Sequence, residues 1–205
     1  MLRHQLRPAL VMTALLCVLT GLIYPGLLTG AAQLLFPHQA NGSLVTVRGQ
    51  VVGSALIGQS FTRPEYFHPR PSAAGNGYDA SASGGTNKGP TDAKLADTLV
   101  AQRVDSIVAV DGGVKGMIPS DMVTASASGL DPDISPANAQ LQVARVAQAR
   151  GVDVAAIRGV LDAHTQRRQF GLLGEPRVNV LLLNLAVDSA FPMPKTAAPT
   201  APAKP

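Results

Sequence analysis

The sequence predicts one N-terminal transmembrane helix followed by a single extracytoplasmic α+β domain. Three observations lead to this fold class. An uncharged run extends from Pro8 to Val47, and its apolar part, residues 9–36, exceeds the roughly 20 residues that a helix needs to cross a bilayer. Residues 37–190 then mix helical and strand-like patterns over about 150 residues, enough for one core. Residues 191–205 are rich in Pro and Ala, which predicts a disordered tail.

The charges beside the apolar run predict its orientation. Arg3 and Arg7 lie on its short side, so the positive-inside rule places residues 1–8 in the cytoplasm. The rest of the chain then lies in the periplasm, and the protein is a single-pass protein of the inner membrane. A cleaved signal peptide, cut near Gly30, is the alternative. The run continues past Pro25, however, and signal cores are usually only about 7–15 residues long.

Pro25 interrupts the predicted anchor. Proline removes one backbone donor and clashes with the carbonyl one turn earlier, so we expect a kink there. A protein partner in the membrane can satisfy the carbonyl that this frees.

Composition excludes several classes of site. The net charge is +4 and the pI about 9.6, but Arg167-Arg168 is the only adjacent basic pair, so nucleic-acid binding is not expected. The one cysteine, Cys17, lies in the anchor, which excludes a disulfide and a zinc–thiolate site. The 4 histidines lack the spacing of metal ligands, so no metal site is expected.

The first segments after the anchor read as loops around one strand. Pro37–Gly42 is predicted as a short exit loop, and Gln50–Gln59 as a strand, since it combines β-branched residues with partial alternation. Phe61–Pro71 is predicted as an ordered loop. Ser72–Pro90 is a long loop rich in Gly, Ser and Ala, with Tyr78 as its one large apolar side chain.

A first helix is predicted over Asp92–Val108. Its apolar residues recur at helical spacing, namely Leu95, Leu99, Val100 and Val104. Thr91 or Asp92 can cap its start. Gly112-Gly113 and Gly116 mark the turn that follows.

A second helix has the clearest boundaries in the chain. Ser135-Pro136 combines a capping hydroxyl with proline at the first helical position, and the helix should run to Arg150. Gly151 can then adopt the left-handed conformation that ends a helix.

Two further elements complete the domain. Asp153 should cap a helix that runs to about His164 with four apolar side chains inward, those of Val154, Ile157, Val160 and Leu161. Arg177–Asp188 is apolar enough to be buried. Asn179 as a cap indicates a helix whereas alternation indicates a strand, and we favour the helix.

Three motifs invite a functional interpretation. Gly84–Thr91 (GGTNKGPT) mimics a phosphate loop, but Pro90 stands where the lysine belongs, so we interpret it as a flexible loop. Tyr66–Gly75 (YFHPRPSAAG) can bind a ligand or lipid headgroup through His68 and Arg70. Alternatively its aromatic residues pack the loop on the core while Arg70 bonds backbone carbonyls, which we favour.

Val123–Ser135 (VTASASGLDPDIS) allows four interpretations. Ser126 or Ser128 can be a nucleophile with His68 or His164 as base, although the G-x-S-x-G elbow is absent.

The same segment can bind a phosphate before the helix, but Asp131 and Asp133 would repel it. The favoured interpretation is a turn and helix cap. The two carboxylates can also focus cations near a transport entrance.

Taken in order, these segments resemble the C subunit of the Kdp-type potassium-transporting P-type ATPase. The resemblance covers nearly the whole chain except the tail. It is carried by Arg7-Pro8-Ala9, Tyr24-Pro25, Gln39–Ser43, Gly53–Gln59, Tyr66-Phe67-His68, Arg70-Pro71-Ser72, Ser83-Gly84-Gly85, Asn87, Val123–Leu130, Arg145-Val146-Ala147, Val178-Asn179 and Leu183-Asn184-Leu185.

The resemblance implies a non-catalytic accessory subunit of a high-affinity potassium uptake complex. Its implied partners are a channel-like potassium-selecting subunit, a P-type subunit that hydrolyses ATP, a small one-helix subunit and membrane lipid. The sequence itself contains neither TVGYG nor DKTGT. The family is described as assisting assembly and as a catalytic chaperone that raises the ATP affinity of the P-type subunit. By resemblance, Ser126, Ser128 and Gly129 would contact the nucleotide, so ATP is the implied cofactor of the complex.

The predicted topology conflicts with a direct nucleotide contact. ATP is cytoplasmic, whereas Arg3 and Arg7 place Val123–Leu130 outside. An effect on ATP affinity would then be allosteric, through stronger binding to one conformation of the pump. The alternative function is a membrane-anchored periplasmic serine hydrolase.

Overall fold

The computed structural model describes residues 2–193, with the side chains of residues 5–193. It has a long apolar N-terminal helix and a domain of helices with a small sheet, which confirms the predicted fold class. The chain divides into two compact units, with the boundary after Ser54. Most of the predicted tail, residues 194–205, lies outside the described residues.

The anchor helix forms most of the first unit. It consists of α1 (Leu2–Val18), a π-helical turn (Leu19–Ile23) and α2 (Tyr24–Leu35). The π-helical turn ends directly before Tyr24-Pro25, where the missing amide of proline perturbs the hydrogen-bond ladder. The Gln5–Leu35 part of the anchor helix is apolar and long enough to cross a membrane.

The rest of the first unit is a short helix and a hairpin. The predicted exit loop contains one helical turn, α3 (Pro37–Ala40). Strands β1 (Leu44–Val47) and β2 (Gln50–Ser54) pair antiparallel. The strand prediction for Gln50–Gln59 was right at its start and wrong beyond Ser54.

The turn of this hairpin explains why the two strands pair. Arg48 and Gly49 both have positive φ, 51° and 80°, as the favoured two-residue hairpin turn requires. Sequence analysis did not predict β1, because Arg-Gly is a weaker signal than Asn-Gly.

The helices of the second unit follow the predicted boundaries closely. The first predicted helix is π-helical over Lys94–Val100 and continues as α4 (Ala101–Asp111), which ends at a left-handed Gly112. A single turn, α5 (Ser120–Val123), comes next. Asp92 accepts a hydrogen bond from the Leu95 amide at 3.1 Å, as expected of the cap.

The central helix α6 (Pro136–Arg150) begins and ends as predicted. The Ser135 hydroxyl accepts from the Asn138 amide at 3.1 Å, and Gly151 is left-handed with φ 66°. Helix α7 (Val154–His164) is capped by Asp153. Ile157 and Leu161 are buried and Val160 is partly buried, but the inward prediction for Val154 was wrong, since it is exposed.

The segment that allowed both helix and strand contains both. Strand β5 (Arg177–Asn179) leads directly into α8 (Val180–Ala190), and Asn179 accepts from the Leu182 amide at 3.1 Å as the helix cap. β5 is the central strand of an antiparallel sheet, between β3 (Asp133–Ile134) and β4 (Thr165–Gln166). After α8, Phe191 packs against the core.

The core of the second unit lies between α6, α7, α8 and β5. Its buried residues are Phe67, Ile134, Ala139, Val143, Val146, Ala147, Ile157, Leu161, Val178, Val180, Leu183 and Val187. Phe67 comes from the loop before the helices and is fully buried. The helices and sheet therefore hold the loop around Phe67 against the core.

Candidate functional site

Loop segments far apart in the sequence meet at one place in the second unit. The Ser72 hydroxyl donates to the Gly129 carbonyl at 2.6 Å, and the Gly84 amide donates to the Ser128 carbonyl at 2.9 Å. We call this place the loop junction, formed by residues 70–78, 83–85 and 126–131. Three of the segments that carry the family resemblance thus contact one another there.

Gly129 lies at the centre of the loop junction and has no room for a side chain. Its φ is 66°, and a Cβ atom would lie 2.6 Å from the Gly84 carbonyl oxygen and 2.7 Å from the Ala74 nitrogen. Left-handed backbone and close approach both require glycine. The glycine of the SASGL sequence is therefore explained by packing.

The two serines of the loop junction have local partners. The Ser128 hydroxyl accepts from the Leu130 amide at 3.1 Å, and its carbonyl accepts from the Ser83 hydroxyl at 3.0 Å. The Ser126 hydroxyl lies 3.5 Å from that of Ser128. These contacts form the turn that sequence analysis favoured for this segment.

The Gly129 amide and the Arg70 side chain already have partners within the loop junction. A phosphate site needs free backbone amides or basic side chains. The Gly129 amide donates to the Ser126 carbonyl at 3.3 Å, and Arg70, the arginine of the loop junction, forms an ion pair with Asp131. We therefore derive no nucleotide chemistry from the loop junction.

Arg70 joins two segments of the loop junction through a carboxylate. Its Nη1 lies 2.7 Å from Asp131 Oδ2, so the expectation that Arg70 bonds backbone carbonyls was wrong. Its own carbonyl accepts from the Tyr78 hydroxyl. Burial raises the pKa of Tyr78, and the charge of Asp131 adds to the effect. Tyr78 thus anchors the long loop, as predicted.

Asp133 is also paired with an arginine. Its Oδ2 lies 3.1 Å from Arg177 Nε, across the β3–β5 pair. Burial raises the pKa of Asp133, and Arg177 opposes this shift. Since Asp131 and Asp133 each face a guanidinium, the field that would concentrate cations is largely neutralised at this position.

The Tyr66-Phe67-His68 segment is held between helices by side-chain amides. Asn184 accepts from the Phe67 amide at 2.8 Å and donates to the Phe67 carbonyl at 3.0 Å. Gln142 does the same for His68, at 2.7 and 3.0 Å. The amides replace a neighbouring strand, so the buried backbone of this loop has its partners.

Two ion pairs fix α6 to its neighbours, and sequence analysis missed both. Arg145 Nε lies 2.7 Å from Asp111 Oδ1, with both side chains buried. Arg150 Nη2 lies 2.7 Å from Asp188 Oδ1, and its guanidinium also stacks 5.2 Å from the Tyr66 ring centre. The available signal was that Arg145 interrupts the apolar stripe of α6.

The serine hydrolase alternative gains no support from the geometry. The His68 Nε2 atom lies 3.1 Å from the Arg63 carbonyl, and the His164 Nδ1 atom lies 2.9 Å from that of Val160. Among the described residues, neither histidine ring bonds Ser126 or Ser128. A nucleophile needs its base within hydrogen-bond reach.

The described side chains do not assemble a metal-binding group. Across residues 5–193, no three His, Cys, Asp or Glu side chains form a group that could hold a metal ion. The described second unit instead uses its charged side chains in ion pairs between elements.

Comparisons with known proteins agree with the resemblance. The family model described as K+-transporting ATPase, c chain (KdpC) matches residues 6–189. The potassium-transporting ATPase KdpC subunit of Gemmatimonas aurantiaca is 70% identical over 190 residues, 92% of this chain and 94% of that protein. The subunits of that name from Koribacter versatilis and Rhodospirillum rubrum are 53% and 55% identical, and each match covers 98% of the relative and 94% or 93% of this chain.

Proposed function

The chain belongs to the KdpC family, and from this premise we propose that it is a non-catalytic subunit that assists the assembly of a potassium-transporting ATPase. Its partners are the channel-like potassium-selecting subunit, the P-type subunit that hydrolyses ATP and the small one-helix subunit. The complex takes up potassium across the bacterial inner membrane at the expense of ATP.

The anchor helix is the observation that carries this proposal. Gln5–Leu35 spans 31 residues with a mean hydropathy of 2.0 in its most apolar window, and 0% of that window is buried. Such a surface needs lipid or helices of other chains to cover it. A subunit that docks through a membrane helix meets this need.

The contacts of the second unit support a structural role. The residues that carry the resemblance are used to hold loops on the core: Asn184 bonds the Phe67 backbone, Arg145 pairs with Asp111, and Gly129 permits close packing. A rigid domain without an assembled nucleophile or metal group suits a subunit that stabilises others.

The orientation follows from the charge distribution. Arg3 and Arg7 lie at the N-terminal end of the anchor helix, before its uncharged run begins at Pro8, so the N-terminus is cytoplasmic and the second unit periplasmic. The location is the inner membrane, which the helix crosses once.

The effect on ATP affinity is allosteric in this proposal. The loop junction lies across the membrane from cytoplasmic ATP, and its amide and arginine are already bonded within the chain. The subunit therefore raises ATP affinity by binding one conformation of the P-type subunit more strongly than the other.

Copurification tests the assembly role. The full chain with an affinity tag, expressed with the three partner subunits, should retain the P-type subunit through solubilisation. A chain in which another single-pass apolar helix replaces residues 5–35 should still fold its second unit, but it should retain less of the P-type subunit. Equal retention by both chains would refute the anchor as the docking element, and no retention by either would refute the assembly role.

A further inference from the structure

The hairpin between β4 and β5 ends in an exposed apolar tip. Phe170 is 97% exposed, Leu172 75% and Leu173 56%. We call these three side chains the apolar tip. Large apolar side chains that project together from a folded domain indicate a contact surface.

The apolar tip is held rigidly by its own backbone. Gln169 and Leu173 exchange both amide–carbonyl hydrogen bonds at 2.9 Å, and the Leu172 amide donates to the Gln169 carbonyl at 3.1 Å. Phe170 has a φ of 53°, a left-handed conformation that non-glycine residues rarely adopt. The turn thus maintains an unfavourable backbone conformation that leaves the Phe170 ring in solvent.

Arginines lie at the base of the apolar tip. Arg167 and Arg168 precede it and Arg177 follows it, with Glu175 as the one acidic residue between residues 165 and 177. Arg168 pairs with Glu175 at 2.6 Å and Arg177 with Asp133, whereas Arg167 forms no ion pair with any described residue. Apolar side chains next to an unpaired arginine match an anionic bilayer, with acyl chains below phosphate groups.

We propose that the apolar tip inserts into the headgroup–acyl boundary of an anionic bilayer, with Arg167 at the lipid phosphates. The bilayer is the one that the anchor helix crosses. A lipid is favoured over a protein socket because residues 170–174 carry no polar side chain, and because the turn satisfies several of its own backbone amides. Unsatisfied backbone groups are costly in an apolar environment, and the internal hydrogen bonds of the turn reduce that cost.

The anchor makes this contact accessible. About 20 residues separate the end of α2 from the second unit, so the chain tethers that unit to the membrane that the anchor helix crosses. Tethering raises the local concentration of the bilayer, so a small insertion suffices. The inference does not depend on which proteins the chain assembles with.

Fluorescence of the full chain in nanodiscs tests the proposal directly. The sequence contains no tryptophan, so Phe170→Trp introduces a unique probe at the apolar tip. In discs that contain phosphatidylglycerol, its emission should shift to shorter wavelength and be quenched by lipids that carry a spin label near the headgroup. Met117→Trp is the matched control, since Met117 is 80% exposed on another loop, and its emission should remain that of tryptophan in water.

A charge variant separates lipid from other occupants. Arg167→Gln in the Phe170→Trp chain should reduce the ratio of inserted to free tips about fivefold, the contribution of one basic residue near an anionic surface. Purely zwitterionic discs should have a similar effect. Water-like emission at position 170 would overturn the proposal. Short-wavelength emission that labelled lipids do not quench would also overturn it, because the tip would then be covered by protein.

Discussion

Gly129 illustrates how a motif that suggests chemistry can encode packing. Two residues have nearly the same left-handed φ of 66°, Gly129 and Gly151, but a Cβ at Gly129 would meet backbone atoms at 2.6 Å whereas Gly151 has nothing within 4 Å. A comparison of Gly129 with Gly151 therefore distinguishes the two reasons why a position requires glycine, which are a left-handed backbone and a lack of space for a side chain.

The corresponding prediction compares alanine at the two positions. Gly151→Ala should lower the free energy of unfolding by about 1–2 kcal/mol, the usual cost of a left-handed residue with a side chain. Gly129→Ala should cost about 1–3 kcal/mol more, since the loop junction must open. Pulse proteolysis of the full chain in urea measures both. Equal losses would show that the crowding at Gly129 is relieved without cost.

The buried pair of Arg145 and Asp111 should be essential for stability. Arg145→Met leaves the Asp111 carboxylate buried and unpaired, and such losses cost about 3–5 kcal/mol. Lys115→Met is the matched control: Lys115 pairs with Asp105 at 2.6 Å, but both side chains are exposed, so the loss should be under about 1 kcal/mol. The same unfolding measurement applies. The double variant Arg145→Met, Asp111→Asn should recover part of the lost free energy of unfolding. If it recovers none, the unpaired Asp111 charge is not the cause of the loss.

His68 should make the stability of the second unit fall in acid. Burial lowers the pKa of its imidazole below the ordinary 6.5, and the positive charge of Arg145 lowers this pKa further. The hydrogen bond to the Arg63 carbonyl and the charge of Asp111 raise the pKa but do not cancel the decrease. Below pH 6.5 the unfolded chain therefore binds more protons than the folded one, so stability decreases as pH falls from 6.5 towards the folded pKa. Urea unfolding at several pH values should show this slope, and His68→Gln should flatten it. An unchanged slope in the variant would assign the acid sensitivity to other groups.

At the scale of elements, helix boundaries were predictable and pairing was not. Ser135-Pro136, Gly151 and Asp153 act within one turn of their own position, so the sequence alone places them correctly. Strand β1, by contrast, exists because Leu44–Val47 finds Gln50–Ser54 across a turn that only positive φ at Arg48 and Gly49 permits.

The candidate site was predicted only in part, because sequence analysis finds local features but not contacts between distant segments. Sequence analysis identified Val123–Ser135 as a turn and cap, which is local. It could not find that Ser72 and Gly84 bond this segment, because those contacts join residues more than 40 positions apart. It assigned Arg70 to carbonyls because the partner, Asp131, lies on a different loop.

The anchor helix supports a prediction about close helix packing. Apart from the backbone of the helix itself, no described residue lies within 4 Å of a Cβ placed at Gly26 or Gly30, so leucine there disturbs no contact with the rest of the described chain. If these glycines let a partner helix approach, Gly26→Leu and Gly30→Leu should reduce copurification of the complex while the second unit stays folded. Leu22→Phe adds similar bulk at a position that is already large and serves as the control. Retention as strong as in the parent would place the docking face elsewhere on the helix.

At the scale of the whole molecule, the two units have different requirements. The first needs an apolar environment around Gln5–Leu35, whereas the second has its own buried core. A subunit of this kind can transmit an effect across the membrane only through contacts with other chains. Its orientation therefore decides which partner surfaces it can contact.

The last prediction concerns that orientation and its consequence for ATP. An enzyme that is active only after export, fused after Pro205, should be active, because Arg3 and Arg7 retain the N-terminus inside. Arg3→Gln with Arg7→Gln should reduce that activity by weakening the charge bias.

With the second unit outside, Ser126→Ala and Ser128→Ala should leave the dependence of ATP hydrolysis on ATP concentration unchanged in the assembled complex, whereas omission of the whole chain should raise the ATP concentration needed. The opposite result has two parts: the export-dependent enzyme is inactive while an enzyme that works only in the cytoplasm is active at the same fusion point, and a serine variant weakens ATP binding. Together they would mean that the loop junction contacts the nucleotide directly.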